Sequence, residues 1–299
     1  MALTFFKFVI KLVMNKKILE GRSAMRENSI FEISRADTLR FRRIVIDVMS
    51  LACSVDDGEY EGIGTLGEKQ MHAAIKRFIC PDESKHEIKL DKPKDNADGK
   101  TKTRRFVADV LDGKNVYEIQ TGSFGPLVKK IQWILDNTDY NVTVIHPIAE
   151  TKWVNLLGDD GNISRRYKSP KREKLEDIAA EIYYLRDFIS CPRFSLVILM
   201  LEAEQYKKNV EKNKKRRAKY EKYELIPMNL LRAHIFYGIE DYKYFLPESL
   251  GDTFTVKEYS KATGIRGMDA YSIVHTLCYL GLCREDGKSG RATLYAKET

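Results

Sequence analysis

Asp109 and Glu118 stand on either side of a tight turn in the stretch Phe106–Thr121, and folding that stretch as a hairpin sets the two carboxylates opposite each other. With Leu111 paired to Val116 across the loop Asp112–Asn115, antiparallel register pairs 109 with 118 and 107 with 120, because paired positions keep a constant sum. Asp109, Glu118 and Gln120 then share one face. Facing carboxylates about 5 Å apart on a sheet repel each other, and a divalent cation between them relieves the repulsion. The spacing therefore describes a metal site. The same acids also fit surface salt bridges to Arg104, Arg105 or Lys76, and Gln120 also fits an ordinary polar residue near a sheet end.

Positioning these side chains takes a helix, a small sheet and a second helix. Leu39–Val55 patterns as a helix that Asp56–Gly62 breaks. A second helix begins at Thr65, whose side chain suits the N-cap, with Glu68 three residues on as a capping box and Met71, Ala74, Ile75 and Phe78 as the apolar stripe. His72 on that helix reads as a packed or exposed residue rather than a ligand. His86–Leu90 reads as a short strand, and the polar tract Asp91–Arg105 as a solvated loop ahead of the carboxylate hairpin. Leu127, Ile131, Ile134 and Leu135 recur at helical spacing, and Asn141–Pro147 is a buried strand ended by His146-Pro147.

Further on, a hairpin is expected over Lys152–Lys168 around Gly158–Asn162, then a helix over Lys174–Ile189 and a strand over Ser195–Leu201. The lysine-rich run from Gln205 to Glu224 reads as a basic helical linker, either a solvated spacer or a phosphate-binding arm. Beyond Pro227, a helix over Asn229–Tyr237 precedes two short helices that stop at Gly264 and Gly281, and then two strands around a Gly-rich basic tip. This is helix-turn-helix order followed by a wing.

In residue order, Glu68 on a helix, Asp109 on a strand and Glu118-Ile119-Gln120 on the next strand resemble the PD-(D/E)XK nuclease superfamily, whose core runs helix, three strands, helix, strand. The resemblance covers roughly Thr65 to Pro147. Gly64–Glu68, Tyr117–Phe124 and Lys168–Arg172, with the winged tail, look like a bacterial family of nuclease-fold proteins. The resemblance implies an α/β fold: a restriction-endonuclease-like αβββαβ core with a C-terminal winged helix-turn-helix domain. The expected division is 1–62, an N-terminal helical region; 63–204, the nuclease domain; 205–226, the basic helical linker; and 227–299, the winged helix.

The resemblance also implies a metal-dependent DNA nuclease. Phosphodiester hydrolysis needs charge neutralisation, a nucleophilic water and help for the leaving oxygen, which Mg²⁺ or Mn²⁺ held by carboxylates supplies. Asp109, Glu118 and the Ile119 carbonyl are then the direct ligands, and Glu68 touches the ion or its water. Gln120 departs from the pattern, since it stands where the superfamily carries lysine and brings no positive charge. Lys89, Lys129 and Lys130 are the nearby cations able to compensate. A catalytically inactive DNA-binding regulator, favoured by Gln120, and an RNA-processing nuclease are the alternatives.

In the tail, Arg266, Asp269, Tyr271, Ser272 and His275 lie on the start and outward face of the second short helix, with Ala270, Ile273, Val274, Leu277 and Leu280 on its buried side. Lys288 and Arg291 at the hairpin tip, and Lys171 and Arg172 near Pro170, suit phosphate. Winged helices also dock proteins, and that reading stays open.

Composition agrees with a polyanionic partner: Lys plus Arg outnumber Asp plus Glu by 51 to 43, a net charge of +8. Duplex DNA is the expected partner, and two-strand cutting invites a homodimer. The apolar stretch Leu3–Met14 carries Lys7 and Lys11 and is shorter than a membrane span of about 20 residues, so it reads as a packed or loosely ordered amino-terminal arm and no membrane partner is expected, with a peripheral amphipathic helix as the alternative. Five scattered cysteines without CxxC suggest reduced structural thiols in a cytoplasmic protein. No P-loop is present.

Overall fold

The computed structural model describes residues 30–54, 66–90, 106–158, 160–209 and 220–298, with the backbone alone at 51–54 and 66–69. The amino-terminal arm, the break at Asp56–Gly62, the Thr65/Glu68 capping box, the loop Asp91–Arg105 and residues 210–219 lie outside these described residues or side chains.

Two helices open the described chain after a short strand: β1 (Ile30–Glu32), α1 (Arg35–Ser54) and α2 (Leu66–Ile79). Next come β2 (His86–Leu90), β3 (Phe106–Asp112) and β4 (Asn115–Ile119), then α3 (Val128–Asn137) and β5 (Asn141–Leu157). β6 (Ile163–Lys168) folds back on β5, and a short helix α4 (Ala179–Leu185) leads into β7 (Phe194–Asn209) and β8 (Tyr220–Phe236). The eight strands make one mixed sheet in the order β1-β8-β7-β5-β4-β3-β2, with β6 beside β5. β4, β5 and β7 run parallel to one another, so α3 and α4 are the crossovers that such pairing requires.

Helices cover both faces. On one, Met71, Ala74, Ile75 and Phe78 of α2 pack with Phe41 of α1 over Tyr117, Ile119, Ile145 and Val197. On the other, Ile131 and Ile134 of α3 and Ile182 and Leu185 of α4 cover Val116, Val142, Val144 and Leu196. Each such aliphatic side chain, fully buried, stabilises the fold by roughly 1.5–3 kcal/mol. A sheet sandwiched this way makes its central strands apolar on both sides, which is why β5 and β7 read as continuous runs.

The second core continues into the carboxy-terminal part. There β9 (Thr253–Thr255), α5 (Val256–Thr263), α6 (Gly267–Tyr279), β10 (Cys283–Ser289) and β11 (Ala292–Lys297) form two helices and a three-stranded sheet in the order β10-β11-β9. Thr255 and Glu258 close a capping box at the start of α5, and Gly264 at φ +78° ends that helix in the left-handed conformation. Ala270, Ile273, Val274, Leu277 and Leu280 are all buried, as their spacing predicts. α6 packs against α4.

Three sequence expectations fail. Residues 205–209 and 220–226 are strand, not a helical linker, and Asn229–Tyr237 is not a helix: β7 and β8 are long antiparallel partners from Leu196↔Phe236 out to Asn209↔Tyr220. Lysine and glutamate favour helix intrinsically, but the pairs Gln205↔Leu225, Tyr206↔Glu224, Lys207↔Lys222 and Lys208↔Glu221 show that cross-strand partners decided the matter. Pro227 sits in β8 next to a register shift between Glu202 and Ala203, a place where its missing N–H is tolerated. Likewise His146-Pro147 does not end its strand. β5 runs through to Leu157, because beyond Ile145 the β4 side of β5 is vacated and the proline breaks no ladder there.

A candidate acidic site at a fork in the sheet

The carboxylate hairpin has the register read from the sequence, Val110↔Tyr117, Leu111↔Val116 and Asp112↔Asn115. Pairing stops there. Upstream, Phe106–Ala108 pair with β2 alone, while Glu118 and Ile119 pair with β5. β3 and β4 therefore part at Asp109 and Glu118. The other neighbour of Asp109 gives way too: Glu87, between the β2 pairs Ile88↔Ala108 and His86↔Val110, has φ +52°, a strained left-handed conformation for a residue with a side chain. Asp109 thus lies where regular pairing lapses on both sides.

Side chains fill the breach. Asp109 Oδ2 accepts the Ile119 N–H at 2.7 Å and stands 3.1 Å from His72 Nε2 on α2. From the opposite face, Lys130 of α3 forms an ion pair with Glu118 Oε2. His72 and Lys130 reach one opening from helices on different sides of the sheet, and Asp109, Glu118, Ile119 and Gln120 share its lining with them. Lys76 and Glu87, themselves an ion pair, form part of the same wall.

Burial governs the electrostatics. The Glu118 side chain is 2% exposed, and desolvation pushes its carboxyl up to about 8 although Lys130 pulls it down; the nearby Asp109 charge adds to the rise. Its Oε1 is buried with no hydrogen-bond partner. Burial also raises the Asp109 carboxyl, but the hydrogen bond and charge of His72, the Ile119 amide and Lys130 outweigh it and hold the group below the ordinary aspartate value.

Gln120 turns partly away from this chemistry: its Nε2 donates to the Ser123 carbonyl at 2.6 Å. The turn that follows is anchored by Glu181 of α4, whose Oε2 accepts from Ser123 Oγ at 2.8 Å and from the Phe124 N–H at 2.7 Å. His146 Nδ1 lies 2.5 Å from the Gln120 carbonyl, which can only accept, so that ring nitrogen carries the proton. Burial holds His146 below its ordinary value and hence neutral.

Of the residues singled out in the sequence, Asp109, Glu118, Ile119 and Gln120 meet at one opening; the Glu68 side chain lies outside those described. Lys130 is the compensating cation that lines the opening, and Lys89 and Lys129 do not. The expected partners Arg104 and Arg105 lie outside the described residues, and Lys76 pairs with Glu87 instead. His72, read as a bystander, is in the site. Its signal was present, because it follows Glu68 by four residues and so shares a helix face with it. Glu181 and His146 left no comparable trace, since their partners come from distant segments.

Lys171 and Arg172 are exposed beyond β6 and do not line the opening. Arg266, Tyr271 and His275 are exposed at the start and along the outer side of α6, Ser272 is half-buried, and Lys288 and Arg291 are exposed near the β10–β11 turn. Among the described residues, no three His, Cys, Asp or Glu stand together as a preformed metal cluster, and no helix is long and apolar enough to cross a membrane.

Fold and site define a mixed α/β protein with an opening at a strand fork lined by the carboxylates of Glu87, Asp109 and Glu118, the His72 imidazole and the ammonium groups of Lys76 and Lys130. Residues 69–237, from α2 through β8 and including the whole fork, match a family described as "Domain of unknown function (DUF8091)", and the chain belongs to that family. It is also similar to an uncharacterized protein of Treponema pallidum (strain Nichols), with 27% identity over 241 residues that span 79% of this chain and 88% of the relative. No solved structure matches this chain.

Proposed function

We propose that the protein is a metal-dependent DNA nuclease of the PD-(D/E)XK type, with a restriction-endonuclease-like core from α2 to β5 and a winged-helix DNA-binding tail from β9 to β11. The observation that carries this reading is the unpartnered, buried Oε1 of Glu118 beside Asp109 at the fork. A cation that displaces the proton burial holds on Glu118 would satisfy that oxygen, and two carboxylates are donors suited to Mg²⁺ or Mn²⁺. Asp109 and Glu118 would hold the ion, with His72 steadying Asp109 from 3.1 Å. When bound, the ion supplies charge neutralisation at the phosphate and a more acidic water.

The chain's own groups do the rest. Lys130 brings the positive charge that Gln120 lacks, from a helix instead of from the strand, and counters charge building up at the phosphate. The Ile119 amide and His72 fix the Asp109 carboxylate in place. Exposed Arg266, Tyr271, His275, Lys288 and Arg291 give the tail its duplex-binding face, and Lys171 and Arg172 add backbone phosphate contacts.

Purified protein incubated with labelled duplex DNA, single-stranded DNA and RNA, with and without Mg²⁺ or Mn²⁺, tests the proposal. Metal-dependent cutting of DNA that Asp109→Asn and Glu118→Gln abolish, with duplex binding retained, is the expected result. A second reading, a DNA-binding regulator without catalysis, is favoured by the engagement of the Gln120 amide with Ser123. Tight duplex binding with no cutting under any metal condition selects it, and preferential cutting of RNA selects an RNA-processing nuclease.

A further inference from the structure

Two thiols scattered among the five in the sequence meet in the tail. Cys278 lies in the last turn of α6 and Cys283 opens β10, and their Sγ atoms are 3.2 Å apart. The turn between them makes this contact: Gly281, at φ +73°, donates to the Cys278 carbonyl at 3.0 Å, and the Leu282 N–H bonds the Leu277 carbonyl at 2.9 Å. Only a short approach of one sulfur toward the other separates this arrangement from a covalent bond.

The two cysteines are not equivalent. Cys283 is buried, 2% exposed, whereas Cys278 is half-buried and open to a small molecule. Either thiol can donate to the other, and Cys283 also faces the Val274 carbonyl at 3.8 Å; the contact with Cys283 lowers the Cys278 thiol and so favours its thiolate, the reactive form. Around them, Glu285 acts on Cys278, and Glu298, which acts on Cys283, is ion-paired with Arg284 at 2.8 Å. The half-buried Cys278 admits a small oxidant more readily than a bulky one such as oxidised glutathione.

We propose that Cys278 and Cys283 form a reversible dithiol/disulfide site that takes hydrogen peroxide as its oxidant. The Cys278 thiolate attacks one peroxide oxygen, the O–O bond breaks, and hydroxide leaves as water after taking up a proton, giving a sulfenic acid at Cys278. Cys283 then attacks that sulfur and a second water leaves. The two sulfurs lose two electrons in all and the peroxide gains them. The product staples the end of α6 to the start of β10, and a dithiol reductant reverses it.

Trypsin releases both cysteines, and no others, in the peptide Gly267–Arg284. In the full-length reduced protein this peptide takes up two alkyl groups. After hydrogen peroxide treatment, it is expected to take up none, to weigh two hydrogens less than its unalkylated reduced form, and to regain both sites on reduction. In Cys283→Ser, dimedone is expected to trap a sulfenic acid at Cys278. Continued double alkylation of the wild-type peptide after peroxide, or crosslinks to Cys53, Cys80 or Cys191 instead, overturns the site. Faster oxidation by glutathione disulfide than by peroxide at equal concentration overturns the oxidant. The wild-type readings stand even where Cys283→Ser fails to fold.

Discussion

The Asp109 carboxylate accepts the Ile119 N–H at 2.7 Å, so a side chain supplies the hydrogen bond that the β3 backbone stops offering where the strands part. One carboxylate then serves two ends, holding the fork together and presenting negative charge to its opening. The two duties can be separated by substitution. Asp109→Asn keeps an oxygen acceptor for Ile119 and removes the charge, whereas Asp109→Ala strands a part-buried N–H, costing about 1–3 kcal/mol. Urea unfolding should therefore rank Asp109→Ala clearly below Asp109→Asn in stability, while both lose metal-dependent cutting. Equal stability of the two variants would show that the Ile119 bond does not hold the fork.

Lys130 is the second test of the site. Lys130→Met leaves Glu118 buried without its ion-pair partner, a change that costs roughly 3 kcal/mol where the remaining group must stay charged and less where it can take a proton, as Glu118 does. Cutting should fall by about 100-fold, the loss typical of removing a single charge-stabilising donor. Adding Gln120→Lys to Lys130→Met should restore part of the activity, because it returns a cation to the same opening from β4. If Lys130→Met cuts DNA normally, the charge at this helix position plays no part in the reaction.

Acidity should couple to the cation through Glu118. Its carboxyl is raised from the ordinary value of 4.5 to about 8 in the folded protein, chiefly by burial, so between those limits the folded state holds a proton that the unfolded state has released. This contribution to stability is fully present below about pH 4.5 and is lost as pH rises through 8. Without metal, denaturation of the wild type at pH 5, 6, 7 and 8 should show stability declining relative to Glu118→Gln. Manganese must displace the same proton, so titration calorimetry should find tighter binding as pH rises across this window. Parallel pH curves for the two proteins would remove Glu118 as the titrating group.

Arg193 anchors the end of the helix that carries Lys130. Its guanidinium donates to the carbonyls of Leu135 at 2.5 Å, Thr138 at 2.7 Å and Tyr140 at 3.1 Å, capping the end of α3 and binding it to the start of β5. Since α3 carries Lys130, this anchor sets where the ammonium stands. Arg193→Ala should cost about 2–3 kcal/mol, as charged hydrogen bonds to orphan carbonyls do, readable as a lower urea midpoint with an unchanged slope.

Duplex binding by the tail should respond to single charges. Arg266→Ala, Lys288→Ala and Arg291→Ala should each weaken binding across sequences and flatten the salt dependence by about one unit if the side chain meets a phosphate. Anisotropy titrations with a labelled duplex at several salt concentrations give both quantities. Unchanged binding in a triple variant would move the nucleic-acid face away from α6 and its hairpin.

The sequence by itself determined the local parts: the hairpin register at Leu111 and Val116, the order of helices and strands from α2 to β5, the buried face of α6 and the glycine stops at 264 and 281. These depend on neighbours within a few residues, on turn chemistry and on periodicity, so a single strand of text contains them. Tertiary structure decided the rest. It drew the Lys-rich segments beside residue 210 into long paired strands against their helical composition, carried β5 past Pro147, and set His72 and Lys130 from opposite faces onto one fork. It also joined Cys278 to Cys283 through a turn. In each case the deciding energy came from a partner far off in the chain or from burial, and neither spacing nor composition records which partner that is.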